Sequence, residues 1–151
     1  MTTFRLVGND TFILNARVLA DFGHGEVGKI TFSTDIATVK TGKTKNAVFA
    51  SNASGDQATL EVRVLRGSDD DKFLNTQVTT YKSNPVGYTL MTGTITKKLG
   101  DGAGNIINDT FVLSGGVPSK NVEVTSNVEG DVEQAITIYT FQFASAARVI
   151  A

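Results

Sequence analysis

The stretch Ala58–Pro85, ATLEVRVLRGSDDDKFLNTQVTTYKSNP, decides the fold. Leu60, Val62 and Val64 alternate with Glu61 and Arg63, the period-2 pattern of a strand with one buried face. Gly67 breaks that strand, and Ser68 with Asp71 three residues on opens a capping pattern. Asp69, Asp70 and Asp71 fall in a first helical turn, where negative charge meets the partial positive end of the helix. Phe73, Leu74, Val78 and Tyr81 form one apolar stripe at helical spacing. The stripe is expected to lie on the sheet, with Asp70 and Lys82 left in water. Asn84-Pro85 stops the helix, because the residue before a proline is pushed out of the helical region. No other segment shows helical periodicity this clearly, so the chain is read as mainly β with one flanking α-helix.

Upstream, TFRLVGNDTFILNARVLA reads as two strands joined by a turn at Gly8-Asn9-Asp10. In the second of them Phe12, Leu14, Ala16 and Val18 share one face, and Ile13, Asn15, Arg17 and Leu19 the other. Asp21–Gly25 is a turn, and Gly28–Ser33 starts the next strand. From Lys40 to Asp56, KTGKTKNAVFASNASGD is rich in Gly, Asn, Ser and Lys and stands between two strands. Structureless loops of this length are uncommon in compact domains, so the segment is read as a long, extended hairpin arm.

Downstream, Tyr88–Leu99 is a Thr-rich strand, Gly100–Asn105 a hairpin turn, and Phe111 and Leu113 share a face on the returning strand. Gly115-Gly116-Val117-Pro118 is expected to end that strand. Strands over Asn121–Ser126 and Glu133–Ala144 finish the chain. In the last, Ile136 and Ile138 lie on one face while Tyr139, Phe141 and Phe143 lie on the other. A strand apolar on both faces needs both covered. One face is covered from within; the other needs the helix, a second sheet or another subunit.

The 151 residues suit one core, so residues 1–151 are expected to form a single domain. Fifteen Gly, two Pro and no Cys lean towards β structure with tight turns and exclude disulfide scaffolds and thiolate sites. The opening MTTFRLVGND has neither a basic segment nor an apolar run, and no run is apolar enough for a membrane helix. The sequons at Asn9, Asn52 and Asn108 are accordingly read as accidental. A formal net charge of −1 argues against tight nucleic-acid binding, which needs many cationic contacts to phosphates.

Catalytic material is scarce. His24 is the single histidine and sits between two glycines in a turn, without a triad spacing or a metal-ligand partner. The Gly100–Gly104 run lacks the following helix and lysine of a phosphate loop. Three consecutive aspartates at a helix start suit the dipole better than calcium, whose loops alternate their ligands. Lys40, Lys43 and Lys45 cluster without interleaved aromatics, which is a poor nucleic-acid signature. The sequence predicts no enzyme, no metal and no cofactor.

Three segments together, LADFGHGEVGKITF (Leu19–Phe32), VKTGKTKNAVFASNASGD (Val39–Asp56) and LEVRVLRGSDDDKFLN (Leu60–Asn75), resemble the tail tube proteins of tailed bacteriophages. The likeness covers about the first half of the chain; the second half agrees in strand pattern and length. It implies a β-sandwich or barrel with one flanking α-helix, subunits in hexameric rings, and rings stacked into a tube that conducts DNA. It also implies arm contacts from Lys40, Thr41, Gly42, Lys43, Lys45, Asn46, Asn52 and Gly55. The strand residues Ile136, Ile138, Tyr139, Phe141 and Phe143 are expected at an inter-subunit surface. The partners implied are further copies of the chain, a sheath or other tail proteins, a tape measure protein and a tail terminator. DNA would pass without specific binding and this chain would not insert in a membrane. The location implied is a virion tail assembled in the host bacterial cytoplasm. The same architecture serves type VI secretion tubes and phage-derived contractile injection systems.

If DNA slides through, the channel wall should be neutral or negative. Glu61, Glu123 and Glu133 are the lumen candidates, with Arg63 on the face of Glu61. The arm lysines would meet a neighbour's acidic residues, either Asp69–Asp71 or Glu129 and Asp131. The rival reading is a monomeric β-sandwich ligand-binding module, for instance for carbohydrate. The absence of Trp and the presence of only three Tyr count against its aromatic platforms.

Overall fold

The computed structural model describes residues 5, 6, 10–23, 25–33, 35–52 and 56–151. His24, Gly55 of the arm and the Gly8-Asn9 part of the first predicted turn lie outside the described residues.

The deciding stretch folds as its pattern requires. Strand β7 (Ala58–Leu65) alternates buried Leu60, Val62 and Val64 with half-exposed Glu61 and Arg63. Gly67 takes φ 82°, a left-handed value that glycine adopts without the clash an L side chain meets. Helix α1 (Asp69–Ser83) then starts on a reciprocal cap. Asp71 N–H donates to Ser68 Oγ at 3.2 Å, and the Asp71 carboxylate accepts from Gly67 N–H at 2.8 Å. The helix ends at Asn84, before Pro85.

Nine strands form one antiparallel sheet. Along its main path, β3 (Arg17–Leu19) and β2 (Thr11–Leu14) are followed by β8 (Met91–Gly100), β9 (Ile106–Pro118), β11 (Ile136–Ile150), β7 and β4 (Gly28–Phe32). Two short strands lie off that path, β1 (Arg5–Leu6) on β8 and β10 (Glu123–Val124) on β11. The sheet curls into a half-barrel. Of the sandwich and barrel forms, the chain therefore takes the barrel-like one. The curl brings β2, next to the end strand β3, up to the other end strand, where the Phe12 ring of β2 lies against Gly28 of β4. A Cβ at Gly28 would come within 2.6 Å of that ring.

Inside the curl, Tyr139, Phe141 and Phe143 of β11 pack with Leu14, Leu60, Val62, Met91 and Leu113, and α1 adds Leu74 and Val78. Each such side chain, fully buried, contributes about 1.5–3 kcal/mol. Phe73 packs partly buried against this core, and Tyr81 is half-buried, edge-to-face with Tyr88 at 5.3 Å.

Four expectations need correction. Asp70 is not in water: it is 2% exposed. Thr11–Leu19 is not one strand but a hairpin, because Asn15 and Ala16 take φ 49° and 65° and reverse the chain. That two-residue turn changes the face of everything after it, so Leu19 is buried and Val18 exposed. Glu133 lies in a 3-10 helical turn, Val132–Ala135, that precedes β11 rather than in the strand itself. The predicted Asn121–Ser126 strand reduces to the two residues of β10. Boundaries also moved: β8 begins at Met91, β9 runs through both glycines to Pro118, and β11 continues to Ile150. Gly116 makes that passage possible, since a side chain there would collide with the Phe143 ring.

Candidate assembly surfaces

The arm is a separate two-stranded sheet of β5 (Ala37–Thr41) and β6 (Ala47–Ser51). Its turn is closed by Gly42 N–H on Asn46 C=O at 2.5 Å, and Lys45 takes φ 66°. Lys43 and Lys45 therefore sit at the tip, while Lys40 stands on β5 opposite Val48. Asn46 donates to Thr44 Oγ1 at 3.1 Å, and Asn52 N–H on Ile36 C=O closes the base at 2.8 Å. Every residue from Ala37 to Ser51 is exposed. These include the cross-strand pair Val39 and Phe49, at 53% and 74%. A lone hairpin is marginally stable in water, and this one presents an apolar face that the other described residues leave uncovered.

The second surface is the sheet face turned away from α1. Glu61 and Arg63 stand there opposite Thr140 and Ile138, and Lys29 stands opposite Glu61 on the β4 side. Glu61 and Arg63 pair at 3.4 Å, both about one-third exposed, so the pair contributes little to stability. Glu123 sits opposite Ile138 on the same face. Glu123, Glu133, Arg63, Ile136 and Ile138 line one open depression of about 390 Å³, joined by Glu26, which the sequence reading did not single out. Two of the three lumen candidates thus share one depression, with Glu61 bonded to its arginine. Ile136 and Ile138 are half-exposed on this face. Tyr139, Phe141 and Phe143 are 0–2% exposed on the other, so their expected inter-subunit contact is corrected: their side chains fill this subunit's own core.

On the helix side the acidic run is mostly consumed internally. The Asp70 carboxylate accepts from Ala20 N–H at 2.6 Å, Asp21 N–H at 2.8 Å and Arg17 Nε at 3.0 Å. Burial alone would raise its pKa; the Asp21 and Ala20 N–H groups and the Arg17 guanidinium outweigh that and hold it below the usual carboxylate range. Burial, helped by the hydrogen bond that Tyr139 Oη donates to Asp71 at 2.6 Å, pushes the Tyr139 pKa well up. Only Asp69 stays in solvent, near Lys72. Asp69–Asp71 as a receptor for a neighbour's lysines is therefore corrected. Among the described residues no group of His, Cys, Asp or Glu is arranged to hold a metal ion, and no helix is long and apolar enough to cross a membrane.

The curled antiparallel half-barrel with one flanking helix is a fold shared with chains of tube-containing assemblies. The particular likenesses lie in contractile injection systems. One is to a chain of the PVC sheath-tube complex of an extracellular contractile injection system in the extended state. It has TM-score 0.65 and 12% identity, covering 96% of this chain and 90% of that one. Another is to the tube-terminating cap of the anti-feeding prophage, with TM-score 0.64 and 11% identity over 94% of this chain and 88% of that one. A third, in the PVC sheath/tube terminator, has TM-score 0.52 and 14% identity over 96% and 94%. No protein-family model and no curated protein matches the sequence.

Proposed function

We propose that this chain is a tube subunit, with residues 1–151 acting as one structural domain that assembles into hexameric rings stacked around a channel. The observation that carries the reading is the arm: fifteen consecutive exposed residues, Ala37–Ser51, folded as a hairpin whose Val39–Phe49 face none of the described residues covers. In a stack that face docks on a neighbour, and Lys40, Lys43 and Lys45 meet acidic groups there. Glu129 and Asp131, both exposed, are the candidates for that role. Among the described residues the path ends, β3 and β4, each pair on one side only, and joining them across subunits protects edges that otherwise invite aggregation.

In this reading the helix-free sheet face, with Glu61, Glu123 and Glu133, lines the channel, and DNA or other cargo passes without specific binding. The sheath, a terminator and a tape measure protein are the tail partners, in a phage tail or a derived injection system assembled in the bacterial cytoplasm. Negative-stain microscopy of the purified chain tests it: six-fold rings or tubes are expected. A species that stays near 16.0 kDa by ultracentrifugation at high concentration overturns it in favour of a monomeric binding module. The likeness to the tube-terminating cap supports a second reading, a ring-forming cap or terminator. Rings that never elongate select that one.

A further inference from the structure

A groove of about 490 Å³ runs along the base of the arm, lined by Phe32, Ile36, Ala146 and Ala147. Phe32 and Ile36 are exposed in it. Asn52 N–H on Ile36 C=O extends the arm's ladder to this point, so alternation puts Ile36 and Thr38 on the face of Lys40 and its partner Val48. Val39 and Phe49 occupy the opposite face. The arm is therefore apolar on both faces, and such a ribbon needs cover from two sides. Among the described residues the groove's own rim carries two charges, Asp56 and Arg148. Arg148 is held by Asp109 through two bonds of 2.8 Å. Lys40, Lys43 and Lys45 of the arm make no ion pair among the described residues. Solvated lysines call for no partner by themselves; their sign selects what can cover the apolar groove beside them.

A matching projection lies at the other end of β11. Val128 is fully exposed in the loop before that strand, with Val132 exposed beside it. A single exposed valine is ordinary, but this one is held in place. Asn127 Nδ2 donates to Asp131 Oδ1 at 2.8 Å, Glu129 N–H donates to Asn127 Oδ1 at 3.1 Å, and Asn127 N–H donates to Gln134 Oε1 at 3.3 Å. A projection ordered in advance loses little entropy on docking. Glu129 and Asp131 flank it, opposite in sign to the arm lysines. The loop joins β11 at Ile136, and the groove begins at Ser145, roughly 30 Å further along the strand. One subunit cannot seat its own loop in its own groove; a second copy set end to end with it can. A contact between unlike surfaces of identical chains closes into a ring or continues as a stack.

We infer that the Val128 loop of a second copy docks in the arm-base groove, Val128 and Val132 against Phe32 and Ile36, with Glu129 and Asp131 facing the arm lysines. This deepens the tube reading and rests on it for the association of copies, not for which surfaces meet.

The chain has no cysteine, so introduced cysteines report the contact. Full chains carrying Ile36→Cys and Val128→Cys, mixed and oxidised, should give a disulfide-linked dimer. The double variant should give a ladder of longer species on a non-reducing gel. Ile36→Cys mixed with Val86→Cys, an exposed site in the turn after α1, should give no link. All three positions are exposed, so folding is retained. Lys40→Glu and Glu129→Lys should each raise the concentration needed for assembly about tenfold, and the two reversals together should restore it. Rings or tubes that form without the Ile36–Val128 link, or that ignore both charge reversals, overturn the docking and leave the tube reading standing. A chain that stays monomeric in ultracentrifugation overturns both. Linked chains that never make rings or tubes support the docking and overturn the tube reading.

Discussion

Asp70 shows how one side chain can tie three elements together. Its carboxylate joins α1 to the turn after β3 through Ala20 and Asp21 N–H and to β3 itself through Arg17, whose guanidinium lies over the Phe73 ring at 5.3 Å. Asp70→Asn keeps the shape but removes the charge and one acceptor. It should cost about 2–3 kcal/mol at pH 7, the scale of hydrogen bonds to a charged group. The sign of the pH dependence follows from the lowered folded pKa. The contribution is complete above the unfolded value of about 3.9 and is lost as pH falls through the folded value. Urea denaturation should therefore show the wild-type advantage at pH 7 shrinking in acid. A gap unchanged down to about pH 2 contradicts the assignment. This burial was legible: Asp70, Leu74 and Val78 recur every four residues, all on one face. Reading the three aspartates only as dipole partners hid that periodicity.

Among the elements, α1 was read correctly because its signals are local: cap, stripe and stop all lie within Gly67–Pro85. Leu74 is fully buried, and Leu74→Ala should cost about 2–5 kcal/mol; a thermal shift near zero would mean the stripe does not seal the core. The Asn15–Ala16 turn had no such signal. Alanine rarely adopts positive φ, and what holds it there is distant. Asn15 N–H donates to Thr92 C=O at 2.9 Å, and the Asn15 side chain accepts from Thr92 N–H and donates to Gln77. Tertiary contacts override the local preference, which strand alternation alone cannot reveal. Ala16→Gly should accordingly raise stability by about 1 kcal/mol, seen as a higher melting temperature. The arm tests independence at this scale. Replacing Thr38–Ala50 by a two-residue turn removes exposed residues only, and loop closure depends weakly on length. The shortened chain should melt cooperatively yet fail to form long tubes. Tubes of normal length would remove the arm from stacking, and a lost transition would place it in the fold.

At the scale of the molecule, the two faces of the sheet were partly legible. Alternation in β7 and β11 separated Glu61, Arg63 and Ile138 from the core correctly. The curl that brings Glu26, Glu123 and Glu133 to one depression depends on the strand order, which no local pattern encodes. Among the described side chains, that face and its rim carry four glutamates, the fourth being Glu61, against Lys29, Arg63 and Lys98, one net negative charge. Phosphate binding scales with the cations that replace counterions, so if this face lines the proposed channel it should hold DNA weakly. The consequence is measurable on assembled tubes. Wild-type tubes should retain no DNA fragment after sedimentation near physiological salt. Tubes of the Glu123→Lys, Glu133→Lys variant lose two negative and gain two positive charges per subunit at residues on an exposed surface, so they should still assemble. They should retain DNA that salt releases, with the logarithm of affinity falling steeply as the logarithm of salt rises. Wild-type tubes that hold DNA as tightly as the variant would show that the channel is lined by another face, and with it the assignment of Glu61, Glu123 and Glu133 to the lumen would fall.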